Sequence, residues 1–235
     1  VVNYPTRVDE FDLGTWGKCR FANWLHPQEG RKEFAERDID WLAQFIKPGD
    51  SCVDIGAYNG DTMLPLAVAT GANGEVVCYE PNPVTYLLLY ENAKLNPQFA
   101  KVVCRNAAID EMKGFVNFRY DPTQMNGGFF VKEEKLVKVR TERLDTYKFK
   151  NRLAFTKIDT EGQDAQLLEW YFALFRRERT VVQVERYPHL TPNAAENLWK
   201  MISDYGAPFL EKDWERKPLT SLPSGLCNIV VIPHA

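Results

Sequence analysis

The sequence predicts a single doubly wound α/β domain built on a mostly parallel sheet, on three observations. The first is the stretch 51–60, where a short apolar run (Ser51, Cys52, Val53, Asp54, Ile55) opens into a loop bounded by Gly56 and Gly60. A turn at Lys47-Pro48-Gly49-Asp50 launches it, and the apolar residues 63–69 continue it as a short helix. The second is the repeated alternation of short apolar strands with helix-length periodic segments along the rest of the chain. The third is residues 180–185, apolar throughout except for the terminal residues and Gln183, as expected of a strand buried on both faces.

Composition sets outer limits. With 235 residues, 45% hydrophobic and 26% charged, the chain is large enough for one domain with a substantial core. A net charge of −3 gives no basic field of the kind that binds nucleic acid. No apolar run approaches the roughly 20 residues that cross a bilayer. Cys19, Cys52, Cys78, Cys104 and Cys227 show no paired spacing, which argues against a zinc site and fits a reducing compartment. A cytoplasmic location is the expectation, with an upstream segment missing, since the chain begins at Val1 without methionine.

Taken in order, residues 1–32 read as an irregular, aromatic-rich extension (Tyr4, Phe11, Trp16, Phe21, Trp24) packed on a domain spanning 33–235. A helix is expected over 33–45, stopped by Pro48-Gly49. The helix at 61–69 is expected to open on a capping residue, and a second strand, 76–80, ends in the acid Glu80. The proline-bounded turn at Pro81 and Pro83 leads to a helix over 84–95, with Tyr86, Leu87, Leu89, Tyr90 and Ala93 turned inward. Residues 101–109 form a third strand, and 115–141 a hairpin insertion whose tip, 124–128, is either a lid or an ordinary loop. Strands at 153–159 and 180–185 enclose a helix from Gly162 onward, and Thr191-Pro192 starts another that runs to Tyr205. Residues 209–210 and 227–232 supply a final strand pair.

The loop residues restrict the ligand. The spacing is Gly-x-x-x-Gly, not the pattern that cradles a pyrophosphate, and Asp54 stands two residues ahead of it. A carboxylate there repels phosphate and suits a cationic ligand bearing an amino acid. An acid closing the second strand typically hydrogen-bonds ribose hydroxyls. A phosphate-free adenosyl group joined to a charged amino acid describes S-adenosyl-L-methionine.

Three stretches then carry a resemblance: Val53-Asp54-Ile55-Gly56-Ala57-x-x-Gly60, Glu80-Pro81-Asn82-Pro83 and Lys157-Ile158-Asp159-Thr160-Glu161-Gly162. Together, and over roughly residues 45–190, the chain resembles the FkbM family of class I S-adenosylmethionine-dependent methyltransferases. The resemblance implies a Rossmann-like seven-stranded sheet with an antiparallel C-terminal strand. It implies a cofactor site of Asp54, Gly56, Ala57, Tyr58, Asn59, Gly60, Glu80, Pro81, Asn106, Ala107 and Asp159, with the small residues after Asn106 leaving room for adenine. It further implies O-methylation of a hydroxyl on a sugar, glycan or secondary metabolite.

Methyl transfer to oxygen requires the protein to position the acceptor and take its proton. Asp159, Glu161, Glu185 and His189 are the candidate catalytic residues. Asp159 and Glu161, one residue apart, fall on one side of an extended chain. Glu161 has an alternative role, capping the following helix. Asp54 has one too, holding the glycine loop by hydrogen bonds. Asp159, Glu161 and Glu185 are also oxygen ligands suited to Mg²⁺, although the resemblance requires no metal. A protein that binds the cofactor without turnover is the alternative from another class. Nucleic-acid methylation is disfavoured by charge and by Asp159-Thr160-Glu161-Gly162, which lacks an Asn/Asp-Pro-Pro-aromatic motif.

Overall fold

The computed structural model describes residues 5–120, 135–186, 190–212 and 214–234. The chain opens with strands β1 (Thr6–Asp12) and β2 (Lys18–Trp24), then helix α1 (Glu36–Leu42), β3 (Ser51–Ile55), α2 (Met63–Thr70) and β4 (Glu75–Tyr79). Helix α3 (Pro83–Lys94) and strands β5 (Lys101–Arg105), β6 (Ala108–Ile109), β7 (Gly114–Tyr120) and β8 (Lys135–Glu142) follow. The last part comprises β9 (Leu153–Ile158), α4 (Asp164–Glu178), β10 (Val181–Arg186), α5 (Pro192–Tyr205), β11 (Gly206–Leu210) and β12 (Cys227–Pro233).

Seven of these strands form one sheet in the order β11-β12-β10-β9-β3-β4-β5. Neighbours from β10 to β5 run parallel, and β12 is antiparallel to both β10 and β11. This is the expected doubly wound sheet with a reversed C-terminal strand. Strand alternation divides its side chains between two cores. Cys52, Val76 and Cys78 pack with α1 and α2 on one face; Val53, Val77 and Tyr79 pack with α4 and α5 on the other. The order reverses between β3 and β9, which opens a crevice at the carboxyl ends of these two strands.

Several local expectations need correction. The N-terminal segment is not irregular: β1 and β2 pair antiparallel over their full lengths. Phe11, Leu13, Cys19 and Phe21 enter the core of the first face. The second edge of β2 is met by side chains, with Asn92 accepting from Ala22 N (2.6 Å) and Asn96 from Arg20 N (2.8 Å). Those amides satisfy backbone groups that an unpaired edge would leave bare. The third strand is split, β5 staying in the main sheet while β6 pairs with β8 in a three-stranded sheet with β7. In α3, Leu87 and Tyr90 face solvent, and Thr85, Leu88, Leu89 and Asn92 are the buried set. Helix α2 opens on Thr62 with no side-chain cap, and Asp61 before it pairs with Lys32. Thr191 does cap α5, accepting from Ala194 N. The hairpin tip at 124–128 lies outside the described residues.

Candidate active site

A cavity of about 510 Å³ occupies the carboxyl ends of β3, β4, β9 and β10, within the usual range for a small-molecule site. Its wall is continued by Glu29 and Lys32 before α1, by residues 107–110, and by β7.

The glycine loop is built by the sheet beneath it. Gly56 N and Ala57 N both donate to Tyr79 O (2.9 and 3.1 Å), so the loop hangs from the end of β4. At Gly56 φ is +79°, and a Cβ would collide with the Asp159 carbonyl oxygen. The glycine is therefore required by contact between β3 and the β9 loop, which Asp159 N reinforces by donating to Ile55 O (3.0 Å). Gly60, with φ +91°, packs against Met63 and Leu89. Both glycines serve chain-on-chain contact. Of the loop, Gly56 and Tyr58 reach the cavity; Ala57, Asn59 and Gly60 support it from behind.

Glu80 faces the cavity and is buried. Its two oxygens accept from Tyr58 N (2.8 Å) and Asn82 N (2.8 Å), which fixes the carboxylate against the loop. Burial pushes its pKa up to about 7, opposed by those two hydrogen bonds. Each oxygen keeps a lone pair for a ligand hydroxyl. Pro81 and Ala107 also line the cavity, but Asn106 does not: its amide donates to Glu80 O (2.8 Å) and Pro81 O (3.2 Å), bracing the turn.

Asp54 behaves differently from either role read in the sequence. It is fully buried, lies behind the cavity wall, and neither oxygen has a hydrogen-bond partner among the described residues. It does not hold the glycine loop. Desolvation raises its pKa to about 7, offset in part by the Lys157 cation. Lys157 was missed as a functional residue, although a lysine inside the apolar run Leu153–Ile158 is a signal worth reading. Its ammonium lies 2.8 Å from Asp159 and lines the cavity.

At the far end, β9 stops at Ile158, and Asp159 and Glu161 both face the cavity. The chain is not extended here as expected: Glu161 adopts φ +56°. The turn is held by Asp164, whose oxygens accept from Thr160 N (2.9 Å) and Gly162 N (3.1 Å). Helix α4 has no side-chain cap, so the capping considered for Glu161 is not made; Asp164 braces the turn before the helix. Glu185 lies outside the cavity lining, but one of its oxygens comes within 4.8 Å of carboxylate oxygens of Asp159 and Asp164. Burial, then the charges of Asp159, Asp164 and Glu161, push its pKa up to about 8, and its Oε2 has no partner among the described residues. The acidic cluster therefore includes Asp164 where the sequence suggested Glu161. Both Asp164 oxygens already hold backbone N–H groups, and Asp159 holds Lys157. His189 lies outside the described residues.

A crevice of this shape, at the switch point of a seven-stranded sheet with a reversed last strand, defines the class I methyltransferase fold. The methyltransferase FkbM domain model matches residues 54–208, and the chain belongs to the FkbM methyltransferase family, a class that uses S-adenosylmethionine. Among solved structures, a methyltransferase FkbM from Methylobacillus flagellatus KT is similar at 14% identity and TM-score 0.52, covering 80% of this chain and 44% of that one. This chain thus spans under half the length of that relative. An O-methyltransferase from Bacillus cereus in complex with SAH aligns at 13% identity and TM-score 0.49, covering 88% and 84%. The TYW2 protein of M. jannaschii in complex with AdoMet aligns at 16% and 0.49, covering 99% and 87%. No curated protein sequence matches the chain. No helix among the described residues is long and apolar enough to cross a membrane.

The residues present fit that cofactor. The cavity volume suits it, the small Ala107 and Ala108 leave space for a flat ring, and Glu80 retains acceptor capacity for ribose. Asp61, Glu80 and Asp159 give the wall the negative sign that a sulfonium and an α-ammonium require.

Proposed function

We propose that the chain is an S-adenosylmethionine-dependent methyltransferase acting on a hydroxyl group of a sugar or secondary metabolite. The observation that carries this reading is the meeting, in one cavity, of a braced ribose-type carboxylate, Glu80, and Asp159, which Glu185 and Asp164 crowd from outside the lining. When bound, the cofactor supplies an activated methyl group on a good leaving group.

The chain's own residues do the rest. Glu80 holds the ribose hydroxyls and so sets the register of the adenosyl group along the cavity. Ala107 and Ala108 flank the adenine. Asp159, paired with Lys157 at 2.8 Å, accepts the hydrogen bond of the acceptor hydroxyl and orients its oxygen. Removing that proton falls to the Asp159–Glu185 pair. With its pKa raised to about 8, Glu185 holds a proton more readily than an ordinary carboxylate, which is the property a proton sink near neutral pH needs.

The test is calorimetric titration of S-adenosylhomocysteine into the purified chain, with Glu80→Ala alongside. Micromolar binding that falls about 100-fold in the variant is the expected result, the loss of two charge-assisted hydrogen bonds. If the native chain does not bind S-adenosylhomocysteine, the reading is wrong.

A further inference from the structure

The segment between β2 and α1 is tied across the glycine loop by charged groups that no step above uses. The Glu29 carboxylate, 3% exposed, accepts from Tyr58 Oη (2.9 Å) and Asn59 Nδ2 (3.3 Å). Lys32 Nζ lies 3.1 Å from the same carboxylate and 2.8 Å from Asp61, and 5.6 Å from the centre of the Tyr58 ring. Glu29, Lys32, Tyr58 and Asp61 all line the cavity. Burial acts to discharge Lys32, but Asp61 and then Glu29 outweigh it and hold the ammonium above its ordinary pKa. A lysine fixed in this way, half-buried and beside the glycine loop, is a permanent cation on the cavity wall.

We infer that Lys32, flanked by Glu29 and Asp61, forms the subsite for the amino-acid end of the cofactor, with Lys32 taking the α-carboxylate and the flanking acids the α-ammonium. The inference rests on the S-adenosylmethionine reading of the cavity. A free α-amino acid presents one negative and one positive group about 3 Å apart, and this corner offers one cation between two anions. Glu80 places the ribose on the β4 side of the loop, so the amino-acid chain must run along the loop, toward Asp61. The other lysine of the lining, Lys157, is engaged by Asp159 at 2.8 Å. An ammonium has three donors, and two contacts leave Lys32 one to offer. The N-terminal extension is thereby part of the binding site, and the amino-acid half of the ligand is read by residues outside the matched span of 54–208.

The experiment compares two ligands on the full chain by calorimetry: S-adenosylhomocysteine, and 5′-methylthioadenosine, which keeps the nucleoside and lacks the amino acid. The native chain is expected to prefer S-adenosylhomocysteine at least ten-fold. Lys32→Met is expected to remove most of that preference while binding 5′-methylthioadenosine within two-fold of native. Equal weakening of both ligands would show Lys32 to be only a tie for the strap, and an unchanged preference would show that it touches no ligand; either overturns the inference. Should Lys32→Met not fold, as a thermal melt will report, the decarboxylated analogue of S-adenosylhomocysteine on the native chain replaces it. A loss of ten-fold or more supports the subsite, and undiminished binding overturns it. Binding of neither nucleoside to the native chain marks failure of the cofactor reading itself.

Discussion

Two glutamates, Glu80 in the cavity wall and the half-buried Glu185 beside Asp159, are in opposite states. Glu80 is braced by two backbone N–H groups, and these pull against the desolvation that raises its pKa. Glu185 has a buried oxygen with no partner among the described residues, and three neighbouring acids add to the effect of its burial. The first is rigid and electrostatically prepared for a ligand that always has the same shape. The second holds surplus negative charge, which lowers stability until a donor or a proton relieves it. A site of this kind has a constant half and a reactive half, and Gly56 is where they touch.

The sharpest way to separate the halves is Asp159→Asn. It is expected to lower the turnover number by about 10²–10³-fold, with affinity for S-adenosylhomocysteine within about three-fold of native. Glu185→Gln should, in addition, abolish a rising limb of activity near pH 8. If either variant loses cofactor affinity and activity in parallel, the two halves are not distinct.

Gly56→Ala attacks the junction. A Cβ against the Asp159 carbonyl, at a φ that L residues avoid, is expected to cost about 3 kcal/mol, lowering Tm by about 6–12 °C. A loss under 2 °C in a thermal melt would mean the β3 and β9 loops separate freely.

The smallest effect belongs to Asp54, whose folded pKa of about 7 exceeds the ordinary 3.8. The folded state then binds more protons than the unfolded state between these values. Stability from this group is therefore greatest at acid pH and falls as pH rises toward 7. Asp54→Asn removes that dependence. Its Tm, relative to native, should rise by about 5 °C between pH 5 and pH 8. A constant difference across this range would show that Asp54 titrates normally and that Lys157 fully compensates it.

Much of the cofactor half was legible because it is local. Residues 51–60 carry their own strand, loop and helix signals, and Glu80 ends a strand that the apolar pattern marks. The acceptor half was read less well. Glu185 and Asp159 are 26 residues apart in sequence and meet only because β9 and β10 are parallel neighbours. The capping considered for Glu161 is not made, because the chain after Ile158 leaves the extended conformation and Asp164 holds the resulting turn. The paired strands of the N-terminal segment were missed because β1 is rich in charge. The alternation of Cys19 and Phe21 against Lys18 and Arg20 was the available sign.

By itself the sequence determined the doubly wound fold, the family and the kind of ligand, since periodicity, punctuation and short motifs are properties of neighbouring residues. Only the tertiary structure decided which acids share a field, that Lys157 restrains Asp159, and that the β2–α1 segment carries Lys32 to the glycine loop. Those facts depend on distances between segments far apart in the chain, set by how sheet and helices pack.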